Sequence, residues 1–84
     1  MAKDYPRSYR VADQIQREIV PLIRSELKDP RVSDLLTISS VDVTRDLSIA
    51  KIYFTVLNED ERLQTEEALH EGAGYLRKLL SRRL

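Results

Sequence analysis

An α+β fold is predicted for this 84-residue chain by three patterns. Apolar residues recur every three or four positions over residues 8–28. They alternate with polar ones over 50–57. A capped helical start at residue 58 is followed by a glycine break and a second helical stripe. The length suits one small domain, so residues 1–84 are read as a single unit.

The first helix covers 8–28, "SYRVADQIQREIVPLIRSELK", with Val11, Ile15, Ile19, Leu22, Ile23 and Leu27 on one face. Ser8 is the expected N-cap, and Pro30 stops the helix by disfavouring helical backbone at Asp29. Pro21, on the polar side, removes one backbone donor, which predicts a bend convex to solvent.

Strands follow at 36–43, "LTISSVDV", and 50–57, "AKIYFTVL". In the second, Ala50, Ile52, Phe54 and Val56 face one way, and Lys51, Tyr53, Thr55 and Leu57 the other. In the first, the inward set Ile38, Val41, Val43 slips at Ser39-Ser40, which predicts a bulge. Residues 44–48, "TRDLS", close the hairpin. Asn58 then caps a helix to about Glu71, with Glu61 placed for a capping box. Beyond Gly72 and Gly74, Tyr75, Leu76, Leu79, Leu80 and Leu84 form a last helical stripe, and Tyr75 is assigned to the core.

The absence of cysteine excludes disulfides and thiolate metal sites and fits a reducing cytosol. No apolar run approaches a membrane span and "MAKDYPRSYR" lacks a signal-peptide core, so a soluble cytoplasmic protein is expected. The 14 basic and 14 acidic residues cancel, but unevenly. Residues 59–71 hold six acids and one Arg, whereas residues 72–84 hold four basic residues and no acid. The charge changes sign at the glycines.

Catalytic patterns are missing. His70 is the only histidine, and "HEGAG" has glycine where a zinc-protease helix needs its second histidine. No nucleophile–base pair or phosphate-cradling glycine loop is present, so neither catalysis nor a metal or cofactor is expected. The acids at 59–61 are a charged first helical turn rather than a cation site.

The basic residues carry more. Arg10, Arg17, Arg24 and Lys28 form a column opposite the apolar stripe of the first helix, with Asp13 and Glu18 on its flanks. Arg77, Lys78 and Arg82 point away from Leu76, Leu79 and Leu80, while Arg83 falls toward the apolar side. Such columns suit phosphate contact rather than base reading. Tyr5 and Tyr9 lie near the N-terminus, and Tyr53 and Phe54 on opposite faces of one strand, so the aromatics form no stacking pair. The glycine break has three readings: a C-cap with restart, a hinge, or a point where a nucleic-acid backbone approaches closely.

"ELKDPRV" (26–32), "VDVTRDLSIAKIYFTVL" (41–57) and "GYLRKLL" (74–80) together resemble the bacterial ribosome-binding factor A family over nearly the whole chain. Val43, Asp46, Leu47, Ala50 and Lys51 are the most specific part. The resemblance implies a type II KH-like fold, helix–strand–strand–helix–kink–helix and a final strand. It makes Gly72-Ala73-Gly74 the kink that replaces the G-x-x-G loop, with Gly72 where alanine is usual, and so a more flexible kink. Pro21 is a second expected departure. Family members continue past "LLSRRL" into that final strand, so a C-terminally truncated domain is expected.

The implied role is non-catalytic. The family binds the immature small (30S) ribosomal subunit near the 5′ region of its 16S ribosomal RNA, assists late maturation, and is linked to growth in the cold. An assembly GTPase is a candidate second partner, and a monomer is expected. On this reading Arg77, Lys78 and Arg82 meet phosphates beside Gly72, Ala73 and Gly74. Arg7, Arg10 and Lys28 extend the contact along the first helix, and Arg45 and Lys51 from the hairpin. The rival is a protein-interaction module acting through the acidic helix 59–71.

Overall fold

The computed structural model describes residues 6–84, and Tyr5 lies outside the described residues. Helix α1 spans Arg7–Leu22. Its start differs from the expected one. Pro6, with φ −60°, occupies the cap position without a side-chain bond, and its carbonyl accepts from the Tyr9 N–H at 3.0 Å. Ser8 is instead a buried residue of the first turn. Proline's fixed φ suits this entry and needs no hydroxyl cap.

Pro21 is exposed, as its place on the polar side predicts. The helix does not stop there. It widens into a π-helical turn, Ile23–Leu27, that closes with the Lys28 N–H donating to the Ile23 carbonyl at 3.1 Å. Lys28 ends it in left-handed backbone, φ 53°. Pro21 is accommodated within α1, and the change of helical pitch comes after it, over Ile23–Leu27.

Strands β1 (Leu36–Val43) and β2 (Ala50–Val56) pair antiparallel. Ile38 faces Phe54 and Ser40 faces Tyr53, so Ser39 is the extra residue of the predicted bulge. Its hydroxyl donates to the Tyr53 carbonyl at 3.2 Å. Leu36, Ile38 and Val56 are buried beneath Ile15, Ile19, Leu22 and Ile23. The other face of the hairpin, including Lys51, Tyr53 and Thr55, is exposed.

A 3-10 turn, Glu59–Glu61, leads into α2, Arg62–Glu71. Asn58 caps that turn, its side-chain oxygen accepting from the Asp60 N–H at 3.1 Å. Glu61 serves elsewhere than in a capping box: its carboxylate accepts from the Ser33 hydroxyl at 2.6 Å. Thr65, 0% exposed, completes this latch. Its hydroxyl accepts from the Ser33 N–H at 3.0 Å and donates to the Arg31 carbonyl at 3.3 Å. Arg31 bonds both Asp29 and Glu71, at 2.8 and 2.7 Å. The segment between the first helix and β1 is therefore tied to both ends and the middle of the α2 region.

Helix α3 spans Ala73–Ser81. It runs antiparallel to α1: Gly72 packs on Leu27 at one end, and Arg83 meets Glu18 and Gln14 at the other. The order helix–strand–strand–helix–kink–helix is the one expected of a type II KH-like unit.

Candidate nucleic-acid interface

The kink between α2 and α3 is a single residue. Gly72, at φ −89° and ψ 1°, donates to the Ala68 carbonyl and accepts from the Leu76 N–H, at 3.0 and 2.9 Å. Neither glycine needs positive φ. Their roles separate by packing. Gly72 is buried, and a Cβ there would lie 2.5 Å from Leu27 Cδ1. A Cβ on Gly74 would meet nothing within 4 Å. Gly72 thus lets two helical segments approach, while Ala73 and Gly74 are exposed.

Leu76 and Leu80 bury the inner side of α3, and Leu79 is half-buried. Tyr75, read from the sequence as core, is 46% exposed. The i, i+4 pair Leu76/Leu80 sets the inward direction, and Tyr75 lies about 120° round from it. Tyr75, Lys78 and Arg82 fall within about 60° of one another on the helix, with Arg77 on the opposite flank. All three cations are exposed, and none joins an ion pair among the described residues. Arg83 differs. It binds Glu18 at 3.1 Å, and hydrogen bonds from Gln14 and Arg83 hold the Glu18 carboxyl below its ordinary value.

The column divides. Arg10 and Arg17 are exposed on α1, as is Arg7 beside them, but Arg24 in the π turn donates to the Ser33 and Asp34 carbonyls at 3.0 and 2.9 Å and braces the chain entering β1. Lys28 sits at the far end, beside the π turn. Arg45 and Lys51 project from the hairpin. The structure therefore gathers Ala73, Gly74, Arg77, Lys78 and Arg82 along α3 behind the Gly72 kink, and spreads Arg7 and Arg10 over α1, Lys28 beyond the π turn, and Arg45 and Lys51 over the hairpin. The sequence did not disclose exposed Tyr75 or the structural cations Arg24 and Arg31; the apolar count around Tyr75 pointed inward, and the carbonyl and carboxylate partners of the two arginines become adjacent only on folding.

Among the described residues there is no group of three or more His, Cys, Asp or Glu that could hold a metal ion, and no helix is long and apolar enough to cross a membrane. His70 is exposed on α2, on the side that carries Leu63, Glu66 and Glu67.

A family model described as ribosome-binding factor A matches residues 7–84. Curated proteins named ribosome-binding factor A are similar over the full chain. That from Thioalkalivibrio sulfidiphilus is 51% identical over 85 residues, and that from Alkalilimnicola ehrlichii 50% over 86; the chain spans 65% of the length of each. The Thiobacillus denitrificans protein is 52% identical over 85 residues, with 68% of its length spanned. With a family match over almost all of its residues and half of its positions shared with these relatives, the chain belongs to the ribosome-binding factor A family.

Proposed function

We propose that this chain is a non-catalytic, RNA-binding unit of a ribosome-associated factor. It docks on the small subunit and its 16S ribosomal RNA during late maturation, including processing at the RNA's 5′ end. The observation that carries the reading is the outer side of α3. Among the described residues Arg77, Lys78 and Arg82 are exposed without carboxylate partners, beside the exposed Ala73 and Gly74 that follow the kink. Relatives sharing half of the sequence are named for ribosome binding.

Lys78 and Arg82 neutralise phosphates on one side of α3, and Arg77 on the other. Arg7 and Arg10 lengthen the basic track along α1, Lys28 extends it at the other end, and Arg45 and Lys51 reach it from the hairpin. Gly72 contributes from behind by seating the kink on Leu27. The RNA is selected by its folded shape, because phosphate contacts position without reading sequence. The unit works as a cytoplasmic monomer, with an assembly GTPase as a further partner.

The test is co-sedimentation with immature small subunits, with filter binding to small-subunit ribosomal RNA across a salt series. Replacing Arg77, Lys78 and Arg82 by Gln is expected to abolish co-sedimentation and to reduce the salt slope by about 2 to 3. Unchanged co-sedimentation would overturn the docking reading. The rival protein-docking reading draws on exposed Leu63 beside Glu66, Glu67 and His70 on α2. It requires the wild-type chain to show no salt-dependent RNA binding at all.

A further inference from the structure

The hairpin loop between β1 and β2 is bonded within itself and carries two exposed apolar side chains, Leu47 and Ile49. Two contacts fix where it lies. Arg24 bonds the carbonyls of Ser33 and Asp34, and Gln16 bonds those of Ile38 and Ser39, at 3.3 and 3.5 Å. As β1 advances, its partner on the first helix retreats, so the strand runs toward the N-terminus of α1. From Ser39 the strand travels about 3.3 Å per residue, whereas α1 has only about 1.5 Å per residue left to Arg7. The loop therefore overhangs the helical layer, and every residue from 44 to 51 is exposed. Its end of the molecule is also the end toward which α3 carries Arg82, and where Arg7 and Arg10 lie.

The loop is rigid through a closed set of bonds. The Asp46 carboxylate accepts from the Thr44 hydroxyl, the Ser48 N–H and the Ser48 hydroxyl, at 2.8, 3.1 and 2.7 Å. The Thr44 hydroxyl oxygen accepts from the N–H groups of Ser48 and Ile49. The Leu47 N–H donates to the Thr44 carbonyl at 2.9 Å, and Thr44 N–H to the Ile49 carbonyl at 3.0 Å. This frame holds Leu47 at φ 62°, a left-handed conformation that a leucine adopts at a cost and that glycine or asparagine would adopt more readily. The result is an exposed Leu47 and a 56% exposed Ile49 set between Arg45 and Lys51. Asp46 spends its charge inside the loop. Asp42, opposite Lys51 in register, makes no ion pair with it.

We infer that this tip is a second RNA contact, separate from the kink. Leu47 and Ile49 pack against an unstacked base or a wide, shallow minor groove, while Arg45 and Lys51 meet the flanking phosphates. RNA is favoured as the occupant because Arg45 and Lys51 flank the apolar pair with exposed positive charge, while the Asp46 carboxylate is taken up by bonds inside the loop. The inference rests on the proposed RNA-binding function and extends it to apolar residues.

The double variant Leu47→Asn, Ile49→Ser separates the possibilities. Asparagine tolerates the left-handed backbone, so thermal stability is expected to hold or rise. Affinity for a small-subunit ribosomal RNA transcript is expected to fall about tenfold with the salt slope unchanged, since no cation is removed. Unchanged RNA affinity in a folded variant would overturn the inference. Unchanged RNA affinity with lost co-sedimentation would also overturn it, by assigning the tip to a protein of the particle. If the wild-type chain itself failed to bind the transcript, the functional proposal would fail instead.

Discussion

Gly72 and Leu27 are shaped to each other: a Cβ on Gly72 would stand 2.5 Å from Leu27 Cδ1, so the leucine methyl takes the space that a side chain at the kink would need. The space left by glycine in place of alanine is filled by a leucine from 45 residues upstream in sequence number.

Gly74→Ala should raise stability by about 0.5–1 kcal/mol, since the site is helical and open. Gly72→Ala should be close to neutral, its helical gain offset by displacement of the Leu27 methyl. In a Leu27→Ala background the same change should regain part of the helical benefit, the Ala68 carbonyl at 3.3 Å remaining close to the new methyl. A thermal double-mutant cycle reads this directly. Equal effects at Gly72 and Gly74 in the wild-type background would contradict the packing account.

Thr65→Val should destabilise by about 1–3 kcal/mol although it keeps the shape, because it strands the buried Ser33 N–H. The melting temperature should drop by about 4–8 °C for each kcal/mol in a domain of this size. Thr65→Ser, which retains the hydroxyl, should lose much less.

Stability should decline on acidification with a specific dependence on Arg31. Hydrogen bonds from Arg31 hold the Asp29 and Glu71 carboxyls below their ordinary values, and bonds from Ser48 and Thr44 do the same for Asp46. A carboxyl lowered in the folded state stabilises fully above its unfolded value, about 4, and loses that contribution as pH falls through the folded value. The difference in melting temperature between wild type and Arg31→Met should be largest near pH 7 and narrow toward pH 3. A constant difference would remove the bridge as its source.

Tyr75→Ala should leave the melting temperature nearly unchanged, because the ring is substantially exposed. If Tyr75 stacks on a base beside Lys78 and Arg82, RNA affinity should weaken by about 1–3 kcal/mol without altering the salt slope. Full affinity in this variant would confine the α3 contact to phosphates.

Much of the architecture was legible because it is periodic. Ile15, Ile19, Leu22 and Ile23 announce a helical face, and the slip from Ile38 to Val41 announces the bulge at Ser39. What escaped is non-local or depends on exact phase. Ser8 looks like a cap until Pro6 takes the position. Glu61 looks like half of a capping box until Ser33 arrives from 28 residues away. Thr65 stands in a charged helix with no sign that its two partners come from the loop before β1. On α3, one residue of phase decided that Tyr75 faces outward. The basic residues were visible as charges, but only the fold separates bracing Arg24 and Arg31 from the open Lys78 and Arg82.

The polar latch on α2 has a consequence for how the molecule opens. Of the ten residues of α2, only Thr65 and Ala68 are buried. The helix is thus held by a small apolar contact at Ala68 and Leu69 together with directional bonds from Thr65 and Glu71 to the segment before β1. Its amides should exchange with deuterium through a local opening well below the cost of global unfolding, while those around Ile15, Ile19 and Leu22 wait for the whole chain. The kink that presents α3 is hung on the helix expected to open first.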